Sequence, residues 1–329
     1  MLFIDPEKIP AGVEKGTSFT PRRITHVFHD IDGTHSLIRQ WVPVMALVTG
    51  FTAENGFPDG RDMVEKIQNI SRFAPEDFPE GRRFAIESAG LSALTQMEWA
   101  LRCAAENGKY SLEGSSPEIN SRIIKEIWLG KEEFDDYGEA PFFRRKIAGD
   151  ASVLFKVYEL LLLKMGRDNN LADAKINPEK WRVPGSLEFL KFLHDNQVKN
   201  YFVTGAVVEY SPDGVPHGTM VEEITALGMM PSENGIVSKL AGSTWQEKLP
   251  KEKIMSALCR QESIDPSELL IVGDGRSEIA AGVALGALTM SRLDTDSIRA
   301  REIHQELGTN MIVSTYEMEK ITQFMSFIP

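Results

Sequence analysis

The sequence contains little cysteine. Its 329 residues include only Cys103 and Cys259, and neither lies in a Cys-x-x-Cys pattern. A disulfide framework or a thiolate metal site needs paired or clustered cysteines, so neither is expected here. The composition therefore favours a reducing, cytoplasmic setting.

An excess of basic residues is also lacking. The formal net charge is -12 at pH 7, and the isoelectric point is near 5.1. Binding nucleic acid without regard to its sequence requires a basic surface that neutralises phosphates, so we expect no nucleic-acid partner. Any anion that this protein handles must meet a local positive site.

Long hydrophobic runs are missing as well. The most apolar stretch, ASVLFKVYELLLLKMG (Ala151 to Gly166), contains three charged residues and is too short to cross a bilayer. The segment MLFIDPEKIPAGVEKG at residues 1–16 has no basic start followed by an apolar core, so we do not expect a secretory signal. No membrane partner is predicted, and the apolar stretch is assigned to a core or cap helix.

The hydrophobic residues that are present, 42% of the chain, can form a sizeable core. Three apolar segments end in polar or glycine-rich turns, as buried strands do when they run into functional loops: ITHVFHDIDG, VKNYFVTGA and ELLIVGDG. Helical patterns separate the last two, and further strands are predicted at GALTMSR and NMIVST. This alternation predicts an α/β fold with a doubly wound, mostly parallel sheet, in which ligands bind at the carboxyl ends of the strands.

The segment between the first two predicted strands is too long for a simple crossover. Residues 37–182 contain helical patterns such as GLSALTQMEWALRCAAENG and INSRIIKEIWLG, and nothing strongly β-like. We interpret this segment as a helical cap domain. The α/β core then comprises a lead-in and first strand at residues 1–36 and the remainder at residues 183–329.

Two aspartates, Asp30 and Asp32, follow the first predicted strand. Residues i and i+2 of an extended segment point to the same side, so both carboxylates can face one pocket. Two neighbouring carboxylates repel each other, so such a pair either binds a cation or keeps one carboxyl group protonated. Mg²⁺ is a cation that prefers carboxylate ligands. On its own, Asp-Ile-Asp-Gly is more typical of a solvated turn, since aspartate and glycine are favoured turn residues.

Later strands end in further polar residues. Thr204 ends the second strand, and Asp274 ends the third, with Glu278 one helical turn later. Lys251 lies at the start of the helix that precedes the third strand. A carboxylate pair, a hydroxyl, a lysine and an acidic pair therefore occur in this order on successive strand–helix units.

In this order the residues resemble the four motifs of the haloacid dehalogenase superfamily. Asp30 to Thr34 match the first motif, Asp-x-Asp-Gly-Thr, and Thr204 matches the second, a Ser or Thr that ends an apolar strand. Lys251 matches the third. The sequence GDGRSE matches the fourth, Gly-Asp-Gly-x-x-Asp, with Glu278 where Asp is more usual.

The resemblance covers residues 24–35 and 183–329, and two departures from it matter. His35-Ser36-Leu37 follows the first motif, where many relatives carry Leu and then an acidic or polar residue, so the segment leading into the cap can differ. Lys248 is a second candidate for the motif lysine, in EKLPKEK. The spacing favours Lys251.

The resemblance implies a Mg²⁺-dependent phosphatase that acts on a small phosphorylated metabolite through an aspartyl-phosphate. Asp30 would be the nucleophile, and Asp32 would be the general acid and base. The implied metal site comprises Asp30, the backbone carbonyl of Asp32, Asp274 and Glu278, with Glu278 contacting either Lys251 or a water on the ion.

The same resemblance implies that Thr204, Gly205 and Lys251 bind the transferring phosphoryl oxygens. Relatives that cleave carbon–halogen or carbon–phosphorus bonds lack the second aspartate, so Asp32 favours phosphate esters. A phosphomutase keeps both aspartates and remains an alternative. A non-catalytic binding protein with the same fold is a further alternative, which an Asn in place of Asp30 would have indicated.

Several side chains near these motifs have two interpretations. Arg39 lies in the segment that leads into the cap, where packing and substrate contact are both reasonable. His26 and His29 lie on a strand predicted to be buried, where hydrogen-bonded core histidines explain them better than metal ligation. Thr219 and Glu222 match a capping box, which predicts a helix that begins near Met220.

Overall fold

The structure is a computed structural model that describes residues 1–89, 91–132, 134–243 and 251–327. The chain divides into two compact units. The α/β unit comprises Met1–Arg39 and Asn170–Pro329, and the helical unit comprises Gln40–Asn169. Residues 170–182, which the sequence analysis assigned to the cap, group with the α/β unit.

The elements follow one another in a simple order. Before the helical unit, the chain forms β1 (Leu2–Ile4), β2 (Glu14–Lys15), β3 (Arg22–Ile24) and β4 (His26–His29). The helical unit contains α1 (Trp41–Asn55), α2 (Met63–Ile70), α3 (Pro79–Glu87), α4 (Ala93–Glu106), α5 (Pro117–Trp128) and α6 (Pro141–Gly166). Then follow α7 (Asp168–Ala174), α8 (Ser186–Asp195), β5 (Lys199–Val207), β6 (Glu209–Tyr210), β7 (Pro216–His217), α9 (Thr219–Ala226), β8 (Lys239–Ser243), α10 (Lys251–Gln261), β9 (Leu269–Gly273), α11 (Arg276–Leu285), β10 (Leu288–Arg292), α12 (Ile298–Glu306), β11 (Met311–Val313), α13 (Met318–Phe324) and β12 (Met325–Phe327).

Within the described residues, the α/β unit is built on a seven-stranded sheet in the order β2-β11-β10-β9-β4-β5-β8. Every neighbouring pair is parallel except β2 with β11. Strand β4 lies between β5 and β9, so the carboxyl ends of these strands are side by side. This topology brings together the residues that follow each of them.

Both faces of this sheet are covered. Val27 of β4 packs in one cluster with Phe189 of α8 and Phe324 of α13, whereas Phe28 packs in another with Met255 of α10. Successive strand residues point to opposite faces, so the two clusters lie on opposite sides of β4. The predicted doubly wound α/β sheet is confirmed.

The helical unit has its own apolar core. Helices α1, α4 and α6 share one buried cluster, and α3, α4 and α5 share a second, in which Phe84 stacks on Trp99 with ring centroids 3.6 Å apart. Arg102 of α4 is 2% exposed and donates to both oxygens of Glu139, at 2.9 and 3.0 Å. Among the described residues, no helix has both the length and the apolar character needed to cross a membrane.

Local sequence signals explain several element boundaries. Ser116 and Pro117 start α5, because the Ser116 hydroxyl accepts a hydrogen bond from the amide of Ile119 at 3.3 Å and proline fits the first helical position. Helix α6 begins at Pro141 rather than at the apolar stretch. The left-handed φ of 76° at Gly286 ends α11.

The predicted start of α9 near Met220 lies within one residue of the observed start, but the N-cap differs from the one that the capping-box pattern indicated. Helix α9 begins at Thr219, and its N-cap is Gly218, which has no side-chain cap. The hydroxyl of Thr219 instead accepts a hydrogen bond from Nη2 of Arg39 at 3.2 Å. A long-range arginine therefore occupies the group that the local pattern assigned to capping.

Candidate active site

The first motif begins where β4 ends. The amide of Asp30 still donates to the carbonyl of Val272 on β9, at 2.8 Å, so this residue is fixed as the last rung of the ladder. The amides of His35 and Ser36 then both donate to the carbonyl of Ile31, which closes a tight loop. Asp30 is 5% exposed at the mouth of this loop.

Gly33 allows the first and fourth motifs to meet. Its φ is +74°, which other residues rarely adopt, and a Cβ atom at this position would lie 2.1 Å from Oδ2 of Asp274. The hydroxyl of Thr34 donates to Oδ1 of Asp274 at 2.9 Å. The carboxylate of Asp274 is therefore held directly against the backbone of the first motif.

Lys251 joins the third motif to the first and the fourth. Its Nζ donates to Oδ1 of Asp30 at 2.6 Å, across 221 residues of sequence, and also to Oε1 of Glu278. A Cβ on Gly205 would lie 3.4 Å from Cε of Lys251, so the end of β5 borders the same lysine. Lys248, the alternative lysine, lies outside the described residues.

Thr204 lies within β5 and is 2% exposed. β5 continues to Val207, so Thr204 does not end the strand as predicted; its Oγ1 accepts a hydrogen bond from the amide of Ala206 at 3.1 Å, which fixes the hydroxyl. The structure therefore brings Asp30, Lys251, Glu278 and Asp274 into direct contact, and it places Thr204 on the strand beside them.

Asp32 lies on the far side of the loop, with 26% of its side chain exposed. Its Oδ1 lies 4.0 Å from Nε of Arg39. Burial raises the pKa of the Asp32 carboxyl above its usual value, Arg39 lowers it, and the carboxylates of Glu223 and Asp30 raise it. Burial, followed by the charge of Asp30, likewise raises the pKa of Asp274.

These carboxylates exceed the cations around them. Asp30 and Glu278 both bond Lys251, and Asp32 and Asp274 lie nearby, whereas Arg39 is paired with Glu223 and Arg292 with Asp294. An anionic substrate entering such a site needs further positive charge, and the oxygen donors present suit Mg²⁺. In the described residues no group of three His, Cys, Asp or Glu side chains is arranged to hold an ion. A Mg²⁺ site here would therefore use two carboxylates, those of Asp30 and Asp274, and the backbone carbonyl of Asp32.

A buried chain of hydrogen-bonded polar groups includes the two histidines that flank the first-motif loop. Nδ2 of Asn200 donates to two backbone carbonyls, which leaves its Oδ1 to accept from Nε2 of His29 at 3.0 Å. Nδ1 of His29 then accepts from Nε2 of His35 at 2.9 Å, and Nδ1 of His35 accepts from the hydroxyl of Ser186 at 2.6 Å. Every group in this chain can be satisfied with both imidazoles neutral.

The two histidines of this hydrogen-bond chain lie on either side of the first motif. His29 precedes Asp30 and His35 follows Thr34, so the bond between the two imidazoles joins the two ends of the loop that carries the first motif. Burial lowers the pKa of His29 to about 3 and lowers that of His35 well below its usual value. The sequence reading of His29 as a core histidine agrees with this geometry, but it did not foresee the partner, since His35 lies on the next segment of the loop.

Comparisons with solved structures agree with this fold. The chain resembles a protein from Clostridium acetobutylicum described as a "predicted phosphatase", with 13% identity, 91% of this chain and 97% of that chain covered, and a TM-score of 0.51. It also resembles a protein from Lactobacillus delbrueckii subsp. bulgaricus described as a "putative phosphoglycolate phosphatase", with 15% identity, 92% and 99% coverage, and a TM-score of 0.50. Neither a protein-family model nor a curated protein matches the chain.

At 13% and 15% sequence identity, the similarity to these two structures establishes the fold alone. The chain has the α/β fold with a helical insert that its resemblance to the haloacid dehalogenase superfamily implied.

Proposed function

We propose that this protein is a Mg²⁺-dependent phosphatase that hydrolyses a small phosphorylated metabolite through an aspartyl-phosphate on Asp30. The observation that carries the proposal is the contact of Lys251 with both Asp30 and Glu278, which unites the first, third and fourth motifs at the carboxyl ends of β4 and β9. Two solved structures of this fold are described as phosphatases, which supports the same reaction class.

The first half of the proposed reaction transfers the phosphoryl group to the protein. A carboxylate oxygen of Asp30 attacks phosphorus, and the bond from phosphorus to the substrate oxygen breaks. The carboxyl of Asp32 gives its proton to that leaving oxygen. Lys251, which already contacts the nucleophile, binds a transferring phosphoryl oxygen together with the hydroxyl of Thr204 and the backbone at Gly205.

The second half returns the site to its starting state. Asp32, now ionised, takes a proton from water, whose oxygen attacks phosphorus and releases Asp30. Glu278 keeps Lys251 oriented through both halves, because its carboxylate is 1% exposed and paired with the lysine.

A Mg²⁺ ion would be held by Asp30, Asp274 and the backbone carbonyl of Asp32, and it would supply the positive charge that an anionic nucleophile needs to approach a phosphate. Glu278 is assigned to the lysine in this proposal rather than to the ion.

The test is phosphate release from a panel of phosphorylated compounds, with and without Mg²⁺. The panel includes 2-phosphoglycolate, sugar phosphates, phosphoserine and nucleoside monophosphates. We expect metal-dependent release that Asp30→Asn lowers by at least about a thousandfold, because loss of a nucleophile removes the covalent route. Asp195→Asn, at the exposed end of α8, is the matched control and should retain full activity.

Release that does not depend on Mg²⁺, or that survives in Asp30→Asn, would contradict the proposal. Isomerised sugar phosphates without released phosphate would point to a phosphomutase with the same nucleophile. Tight binding of a panel compound without turnover would indicate a binding protein.

A further inference from the structure

One oxygen of Asp32 is buried without a hydrogen-bond donor. Its Oδ1 has no partner among the described residues, and Nε of Arg39 lies 4.0 Å away, beyond hydrogen-bond distance. Leaving a buried acceptor unpaired is unfavourable, because its lost hydrogen bond to water is not replaced. A protein retains such an atom where another requirement outweighs that cost, as at a proton-transfer site.

Arg39 does not reach this oxygen because Glu223 holds it. Nε of Arg39 donates to Oε2 of Glu223 at 2.9 Å and to Oε1 at 3.2 Å, and Nη2 donates to Oε1 at 3.1 Å. Nη2 also donates to the hydroxyl of Thr219 at 3.2 Å. The guanidinium of Arg39 therefore points towards α9, although Arg39 itself lies in the segment that follows the first-motif loop.

The burial of Glu223 stabilises its ion pair with Arg39. Glu223 is 0% exposed, and a carboxylate at such a position persists only when it is paired. The Arg39 side chain is 13% exposed, so water screens the pair little. Removing either charge alone would leave the other in a poorly solvated place.

A direct bond from Arg39 to Asp32 would harm the proposed chemistry. An arginine that bonds a carboxylate forms one of the strongest charge-assisted pairs, so a leaving group or water would not displace it easily. It would also occupy lone pairs that must receive and release a proton. A general acid therefore needs the arginine to be held too far away to bond.

We propose that Glu223 is a positioning residue that holds Arg39 away from Asp32, which leaves the Asp32 carboxyl available to exchange its proton with the leaving oxygen. This inference rests on the proposed phosphatase function. It assigns Arg39 a purpose that differs from both packing and substrate contact, and it gives the buried Glu223 a role in catalysis without contact with the substrate.

The test uses two leaving groups of different basicity. An alkyl phosphate needs protonation of its leaving oxygen, whereas p-nitrophenolate leaves without it. We expect Glu223→Gln to lower kcat/KM at least about tenfold for the best alkyl phosphate of the panel and less than about threefold for p-nitrophenyl phosphate. Asp32→Asn, measured in parallel, should show the same selectivity with a larger loss.

A second variant separates positioning from structural damage. In the double variant Arg39→Met/Glu223→Gln, no guanidinium remains to reach Asp32, so the alkyl-phosphate activity should return to within about threefold of the wild type. A structural role predicts the opposite, because the double variant loses more of the buried pair than the single one. Glu222→Gln, at the exposed neighbouring position on α9, is the matched control and should match the wild type.

The ratio of the two activities is measured on one protein sample, so a lower folded fraction does not alter it. An equal loss on both substrates, no loss on either, or a double variant that fails to recover would overturn the inference. Metal-dependent turnover that Asp30→Asn abolishes would leave the proposed function standing in each of these cases. Absence of any wild-type turnover would overturn both.

Discussion

Lys251 is the side chain on which the charge balance of the site depends. Its Nζ donates to Asp30, the proposed nucleophile, and to the buried Glu278. We expect Lys251→Met to lower kcat/KM by about 10²- to 10³-fold, as removal of one donor to a developing charge typically does. Lys253→Met, at an exposed position of the same helix, is the control and should have little effect.

Steady-state kinetics on the best panel substrate, with circular dichroism to confirm folding, checks this prediction. Lys248→Met should behave as Lys253→Met does if the spacing argument for Lys251 is right. Activity that is lost in Lys248→Met and retained in Lys251→Met would reverse the assignment.

At the residue scale, the sequence predicted the side chains that follow strand ends and missed those that reach the site from elsewhere. Asp30 and Asp274 follow apolar strands, so the sheet topology alone places them together. Glu223 lies on the buried face of α9, and nothing in its neighbours indicates a salt bridge to Arg39. Long-range pairs of this kind require the three-dimensional arrangement of elements, which local patterns do not contain.

Strands and helices with clear periodicity were predicted well. β4, β9, β10 and β11 lie within the predicted segments, and β5 extends one residue beyond its segment, because each is an apolar run bounded by turn residues. Shorter strands escaped notice: β1, β3 and β12 form a three-stranded antiparallel sheet from segments near both ends of the described chain. Each of these strands has only three residues, so periodicity alone gives little signal for it.

The segment between β5 and α9 contains the hairpin of β6 and β7, in which Glu209 pairs with His217 and Tyr210 with Pro216. The hydroxyl of Tyr210 donates to the carbonyl of Leu240 at 2.9 Å and attaches the hairpin to β8. Backbone pairing in so short a ribbon depends on this anchor, which lies 30 residues away in sequence.

Helix α12 carries a buried histidine that should make stability depend on pH. His304 is 1% exposed, its Nδ1 bonds the hydroxyl of Ser291 at 2.8 Å, and burial lowers its pKa to about 4. The unfolded chain binds a proton near pH 6.5 and the folded chain does not, so the free energy of unfolding falls as the pH drops from about 6.5 towards 4. Above this window the contribution of His304 is constant.

Urea unfolding at pH 7 and pH 5 measures this effect. We expect His304→Asn, which keeps a polar partner for Ser291, to reduce the loss of unfolding free energy between the two pH values by about 2 kcal/mol. An unchanged pH dependence in His304→Asn would show that His304 titrates alike in both states. His29 and His35 should add to the remaining slope in both proteins, since both have lowered pKa values.

At the scale of the whole molecule, the helical unit depends on a buried ion pair as well as on its apolar core. Arg102 and Glu139 each have 2% of their side chain exposed, and Glu139 also accepts a hydrogen bond from Ser115 at 2.6 Å. Glu139→Gln removes the charge of the bidentate partner and leaves Arg102 paired with Glu98, so we expect a loss of about 2 kcal/mol in unfolding free energy.

Glu80→Gln is the matched control for this prediction. Glu80 pairs with Arg83 at 2.7 Å, but both side chains are more than half exposed, and such pairs contribute about 0–1 kcal/mol. Chemical denaturation of both variants, followed by circular dichroism, gives the comparison. Similar small losses in both would mean that the buried pair is replaceable.

The division of the chain into two units was only partly readable from sequence. The helical patterns marked the insert, and the α/β pattern marked the core. The boundary near residue 170 was missed because α7 looks like any other helix of the insert, although Leu171 and Ala174 pack with Ile38 and Leu190 of the α/β unit. Burial against a distant strand, rather than helical character, decides which unit such a segment joins.

The central claim is that Asp30 is phosphorylated during turnover. The most direct measurement is mass spectrometry of Asp32→Asn protein quenched in acid during reaction with p-nitrophenyl phosphate and Mg²⁺, because this variant can form the acyl phosphate and hydrolyses it slowly. The account predicts one added phosphoryl group on the peptide that contains residue 30, removable by hydroxylamine and absent from Asp30→Asn. A phosphoryl group on any other residue, or turnover with none, would contradict it.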